Sequence, residues 1–194
     1  MNAKYQVVLL VLSLGVAVQG CMLKSETVHF APKLEARQTD VGEGTVLGLE
    51  VADTRADKKV GIVGDPKMKF ITVTAEDDSP SAVYKEAANA LTKLGFKVEP
   101  APDATDRVLR LELRELQYES IKQPFTFDSK AKVLVGAVAR NGGDRYERTY
   151  ETEETSTTGA PPSQSEISQT INRLLSASLN DVLADKQLMA ILAK

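Results

Sequence analysis

The chain has 194 residues, with 24 Lys and Arg against 27 Asp and Glu and a formal net charge of −3. Nothing in that balance supplies the basic excess that phosphate neutralisation needs, which argues against nucleic acid as a partner. A single cysteine, a single histidine and no tryptophan exclude an internal disulfide and a thiolate metal cage. They also argue against a carbohydrate-stacking site.

In chain order, the first element is a secretory signal over residues 1–20: Lys4 and the free amine, an apolar run from Tyr5 to Val18, and a small-residue exit at Gly20. The apolar run is shorter than the roughly 20 residues that span a bilayer core, so a permanent membrane helix is not expected. Residues 21–44 are polar and lack sustained periodicity, and they read as a tether whose middle, around Val28–Pro32, docks on the domain. Its histidine, His29, has no second His or Cys with which to share a metal, so no metal site is expected.

The remainder, 45–194, has the length for one packed core. Leu47, Leu49 and Val51 alternate with polar or small residues, a strand. Residues 56–68, rich in Gly, Asp and Pro, read as a loop, and 69–75 as a second strand. Ser79 and Pro80 open a helix carrying Val83, Ala87, Leu91 and Leu94, which Gly95 ends with Phe96 folding back. A brief strand follows at 96–102. A longer one at 107–120 points Leu109, Leu111 and Leu113 inward, then slips phase at Glu115, which predicts a bulge. Phe125, Phe127, Ala131, Val133, Val135 and Ala137 share one parity of a hairpin that turns at Asn141–Asp144 and returns with Tyr146 and Tyr150. Ser163 and Glu166 form a capping box ahead of a long helix striped with Ile167, Ile171, Leu174, Leu175, Val182 and Leu183, and Asp185 restarts a last short turn. This order predicts an α+β single domain: a mostly antiparallel sheet with two helices packed on one face.

Val18-Gln19-Gly20-Cys21 resembles the lipobox of bacterial lipoproteins, with Gln19 in place of the usual small residue. The resemblance implies cleavage before Cys21 and attachment of a diglyceride to its sulfur, followed by further acylation. Two or three chains hold where one myristoyl binds only marginally. Met22 rather than Asp after the cysteine implies, by likeness to enterobacterial sorting, the outer membrane with the domain facing the periplasm.

Cys21, the Asp53 and Arg55 of the post-strand ADTR, the glycine-containing loop after it, and residues 127–142 together make the chain resemble the YajG-like family of bacterial outer-membrane lipoproteins. That likeness implies a small α+β lipoprotein without an established activity. The element order is also similar to accessory lipoproteins of envelope transport systems, a likeness of topology alone.

No catalytic set is apparent. The serines at 163, 165, 168, 176 and 178 have no base in sequence, and Gly61–Asp65 lacks the ending of a phosphate loop. Asp53 and Arg55, with Asp106 and Arg107 leading another strand, form a candidate carboxylate–guanidinium site for a ligand or a loop, set against an ordinary surface ion pair. Tyr118, Tyr146 and Tyr150 are candidates for a contact surface, because they join apolar area to a polar tip; the two phenylalanines suit the core. The expected role is a non-enzymatic, lipid-anchored envelope protein that binds a protein partner, with no cofactor beyond the lipid at Cys21. The alternative is a transport accessory that carries lipid or a small ligand in a cavity between the helices and the hairpin strands.

Overall fold

The computed structural model describes residues 25–37, 39–101 and 106–194; the signal segment and Cys21 lie outside them. The elements in order are β1 (Glu26–Val28), β2 (Val46–Asp53), β3 (Lys59–Gly64), β4 (Phe70–Ala75), α1 (Ser79–Lys93), β5 (Lys97–Pro100), β6 (Arg107–Lys122), β7 (Phe127–Asn141), β8 (Asp144–Thr158), α2 (Gln164–Ala184) and α3 (Lys186–Leu192).

One sheet is built around β6, whose 16 residues span about 50 Å. Along one edge it pairs antiparallel with the whole of β7, which in turn pairs with β8. The other edge is shared. Its first part takes β2 in parallel, from Gly48 opposite Val108 to Asp53 opposite Leu113. Its last part takes β3, also parallel, from Gly61 opposite Tyr118 to Gly64 opposite Ile121. β5 lies outside β2, while β4 and then β1 lie outside β3. The hand-over coincides with a bulge: Leu113 faces Val135 and Glu115 faces Leu134, leaving Arg114 as the extra residue. The predicted slip is there, one position earlier than Glu115.

The sheet is mixed, which corrects the expectation of a mostly antiparallel one. Four pairings are parallel (β1–β4, β2–β5, β2–β6, β3–β6) and three antiparallel (β3–β4, β6–β7, β7–β8). The α1 crossover returns β5 in the direction of β2, one of the four parallel pairings, and the others follow from the chain's longer routes between β2, β3 and β6; strand alternation carries no information about partner direction. The helices do share one face. Val83, Ala87 and Leu91 of α1, Ile167, Ile171 and Leu175 of α2, and Leu188 and Leu192 of α3 join the inward residues of β2, β6 and β7 in one core. The capping box of Ser163 and Glu166 opens α2 as read. α1 starts one residue early, on Asp78, and ends with Gly95 at φ 93° and the Phe96 N–H donating to the Leu91 carbonyl.

Two stretches read as irregular are structural. Residues 59–64, taken for loop, form β3 despite two glycines. Residues 26–44, taken for tether, belong to the domain. β1 joins the sheet, and the extended chain after it lies along α2. The N–H groups of Ala31, Lys33 and Glu35 donate to Asn172 Oδ1, Ser176 Oγ and Asn180 Oδ1 at 2.8, 2.9 and 2.9 Å. The ladder closes because four helical residues rise about 6 Å and two extended residues advance about 6.6 Å. Phe30 and Pro32, on either side of Ala31, are buried. Residues 39–44 then cap α1: the N–H groups of Thr39, Gly42 and Gly44 donate to the carbonyls of Lys93, Leu94 and Gly95. Phe125, expected in the core, stands exposed in the β6–β7 turn, beyond the end of strand pairing.

Gly61 is required by close backbone approach, since a Cβ there would lie 1.6 Å from the Tyr118 carbonyl oxygen. Gly61→Ala is expected to destabilise the domain by about 2–3 kcal/mol, measured as a lowered urea midpoint. Gly159→Ala, where nothing lies within 4 Å, is expected to leave the midpoint unchanged.

Candidate functional site

Asp53, the last residue of β2, receives the Arg55 side chain side-on: Nε to Oδ1 at 2.8 Å and Nη2 to Oδ2 at 2.7 Å, with the Arg55 backbone N–H also on Oδ1 at 3.2 Å. The side chains are only 10% and 4% exposed, so this is an internal clip rather than a surface pair. Burial pushes the Asp53 carboxyl up, and the guanidinium and N–H of Arg55 outweigh it, holding the group below its ordinary value. Among the described residues Arg55 Nη1 has no hydrogen-bond partner. The clip closes the place where the chain leaves β6: the Thr54 N–H and hydroxyl both donate to the Leu113 carbonyl, at 3.1 and 3.2 Å. Asp106 and Arg107 are not part of it. Arg107 sits opposite Asn141, six residues along β6 from Leu113, about 20 Å away.

The tyrosines do not form one contact surface, which corrects that expectation. Tyr118 is buried in the core on β6, and burial raises its phenol. Tyr146 and Tyr150, two residues of one β8 face, aim at Asp185 between α2 and α3. Their hydroxyls donate to Asp185 Oδ2 at 3.1 and 2.7 Å, and Arg148 Nη1 donates to the same oxygen at 3.1 Å while its guanidinium lies 5.4 Å from the Tyr150 ring centre. Asp185 Oδ1 accepts the N–H groups of Gln187 and Leu188, capping α3. Burial acts to raise the Asp185 carboxyl, but the Tyr150 hydroxyl, the Leu188 N–H and the other donors lower it to about 2. Burial and the Asp185 carboxylate together raise the Tyr150 phenol. Asp185 is the residue that the sequence reading missed as a centre. Its helix-restarting position was legible, but nothing local announced the tyrosines 35 and 39 positions earlier.

The helix-free face of the sheet carries an alternating charge lattice. Arg114 lies flat over Gly136, whose missing Cβ makes the space. Arg114 bonds Glu112, Glu147 and Thr149, and Lys132 lies between Glu115 and Glu151 at 3.5 and 3.4 Å. Exposed pairs of this kind contribute little each, but they set the polarity of the face. β8 borders it, and over all 15 residues it pairs with β7 alone among the described residues. The α2 serines serve the fold: Ser163 caps, Ser176 holds the extended segment, and Ser178 is buried on Thr152. Among the described residues no group of His, Cys, Asp and Glu is placed to hold a metal ion, and no helix is long and apolar enough to cross a membrane.

The model of a family described as "Uncharacterized lipoprotein" matches residues 32–193. The chain belongs to this lipoprotein family. Membership implies a membrane-anchored place in the cell envelope and agrees with the resemblance to the YajG-like lipoproteins. No curated protein matches the lipoprotein significantly in sequence. Among solved structures, a DUF330-family protein from Xanthomonas campestris matches 86% of the lipoprotein and 95% of its own chain, at 11% identity and a TM-score of 0.50, a likeness of fold. A neuraminyllactose-binding hemagglutinin homolog from Helicobacter pylori matches 86% and 98% at 9% identity and a TM-score of 0.46. A lipoprotein from Neisseria meningitidis matches 73% and 99% at 14% identity and a TM-score of 0.37.

Two predictions follow the geometry of the lipoprotein's buried carboxylates. Because the Asp185 carboxyl is depressed in the folded state, its contribution is complete above the ordinary carboxyl range and is lost as pH falls from about 4 towards 2. Asp185→Asn is expected to lower stability by about 2 kcal/mol at pH 7, with the gap to wild type narrowing in urea titrations repeated at pH 3. Asp53→Ala and Arg55→Ala are each expected to cost about 3 kcal/mol, since each leaves a buried charge unpaired. The double variant is expected to lose less than the sum, and strict additivity in the double-mutant cycle contradicts the coupling.

Proposed function

We propose that the protein is an outer-membrane lipoprotein, anchored by a diglyceride on Cys21 with its domain in the periplasm, and that it works without catalysis by binding a protein partner of the envelope. The observation that carries the binding role is the outer edge of β8, which has no strand partner among the described residues. A strand of 15 residues with an unpaired row of N–H and C=O groups is a template for an added strand. Its charged side chains discourage indiscriminate pairing, as protected edges do. The charge lattice on the adjoining face supplies register and selectivity for a chosen partner.

A second reading, a transport accessory that takes up lipid or a small ligand, is supported by a groove of about 510 Å³ between the start of α2 and the strands β6–β8. Its lining includes Tyr118, Ser129, Ser156, Pro161, Pro162 and Glu166. Native mass spectrometry of protein purified without denaturation separates the two, because only the second reading predicts a bound small molecule.

The partner reading is tested in intact cells with a photo-crosslinking amino acid at Thr155, exposed on β8, and at Lys85, exposed on α1. A discrete adduct with an envelope protein is expected from position 155 and not from 85. Equal, background-level products at both positions remove the edge as the binding site.

A further inference from the structure

Four large hydrophobic side chains are exposed among the described residues, and three of them gather at one end of the sheet. Met68, 78% exposed, and Phe70 lie on the β3–β4 hairpin; Phe125, 92% exposed, tops the β6–β7 turn. The two turns are neighbours, because Gly64 at the end of β3 sits opposite Ile121 near the end of β6, and Lys122 reaches Asp65 at 3.3 Å across them. Both turns are held in shape. The Lys67 N–H donates to Asp65 Oδ1, the Met68 N–H to the Asp65 carbonyl, and the Gln123 N–H to the Thr126 carbonyl. The apolar side chains therefore project from fixed turns. Lys67 and Lys69 flank Met68, both exposed and without an acidic partner among the described residues. Aromatic and apolar side chains ringed by lysines suit the boundary between acyl chains and anionic headgroups.

The direction of β1 keeps Cys21 within reach of this same end. β1 runs parallel to β4, with Glu26 opposite Val73, so the chain enters the sheet from the side where β4 begins at Phe70. Only four residues separate Cys21 from Glu26, a maximum reach of about 18 Å. The three-residue step from Val73 back to Phe70 covers about 10 Å.

We propose that this end of the domain is a membrane-contacting tip, with Met68 and Phe125 entering the interfacial layer of the bilayer that holds the Cys21 lipid and Lys67 and Lys69 on its anionic headgroups. The proposal rests on the lipid-anchor reading and adds a second, non-covalent contact that sets the orientation of the domain. β6 then stands away from the membrane, and the free β8 edge is presented along the membrane normal.

The chain has no tryptophan, so a single introduced one reports position. The full-length acylated protein carrying Phe125→Trp is reconstituted into vesicles of phosphatidylethanolamine and phosphatidylglycerol containing lipids brominated in the upper acyl chain. The comparison protein carries Gly143→Trp in the β7–β8 turn at the far end, where nothing lies within 4 Å. Flotation of each preparation reports the lipid anchor independently. The expected result is co-flotation of both, strong quenching of Trp at 125 and none at 143. Adding Lys67→Glu and Lys69→Glu is expected to reduce the quenching at 125. Co-flotation with equal or absent quenching at the two positions overturns the tip while leaving the anchor standing. Failure to float overturns the anchor and the tip with it.

Discussion

The structure depends on β6 keeping its apolar residues on the helix-covered side across its whole length. A strand has a period of two, so a one-residue slip sends every later side chain to the opposite face. The sequence of β6 contains such a slip: Leu109, Leu111 and Leu113 share one parity, Leu116 and Tyr118 the other. The bulge at Arg114 absorbs it and returns Leu116 and Tyr118 to the core. Gly136 on β7 leaves room for the displaced arginine to lie flat. On the opposite edge the same irregularity is where β2 ends and, after a short detour, β3 takes over. A single unpaired residue thus marks the change on both edges of β6.

Polar groups fasten the pieces that this spine brings near one another. The Asp53–Arg55 clip closes the gap at the hand-over. Asp185 ties β8 to the junction of α2 and α3 while capping α3 with its other oxygen. Asn172, Ser176 and Asn180 hold the extended segment to α2 with one bond every helical turn. Buried ion pairs of this type add less net stability than their short distances suggest, because both charges lose their water. What they supply is exact placement, since each group left without its partner is costly.

That placement bears on how an envelope lipoprotein can work. With residues 26–44 integrated into the domain, only four residues lie in sequence between Cys21 and Glu26. On the proposed Cys21 anchor a domain held so closely cannot sweep a wide volume, so which end meets the bilayer decides what the β8 edge and the charged face can reach. The proposed membrane tip and the proposed partner edge on β8, which pairs with β7 alone among the described residues, divide membrane contact from partner contact between different parts of the domain.

Much of this was determined by sequence alone: the strand and helix positions of the core, the α2 capping box, the Gly95 stop, the bulge, and the likeness to the lipoprotein family, whose model matches residues 32–193. These are local properties, set by side-chain periodicity and by which residues tolerate a given backbone conformation. The tertiary structure decided the rest. Parallel pairing of β2 and β3 with β6 depends on the chain's route between them, and β3 looked like loop because Gly61 is selected by the Tyr118 backbone rather than by strand propensity. Residues 26–44 lacked periodicity of their own because their hydrogen bonds go to three distant places: β4 for 26–28, the end of α1 for 39–44, and α2, about 140 positions away, for Ala31, Lys33 and Glu35. Asp185 acquired its low carboxyl value, and Tyr146 and Tyr150 their partner, only when β8 was laid against the α2–α3 junction. Contacts between distant segments leave no local pattern, because neither segment needs the other's residues to be chemically unusual, only to arrive at the same place.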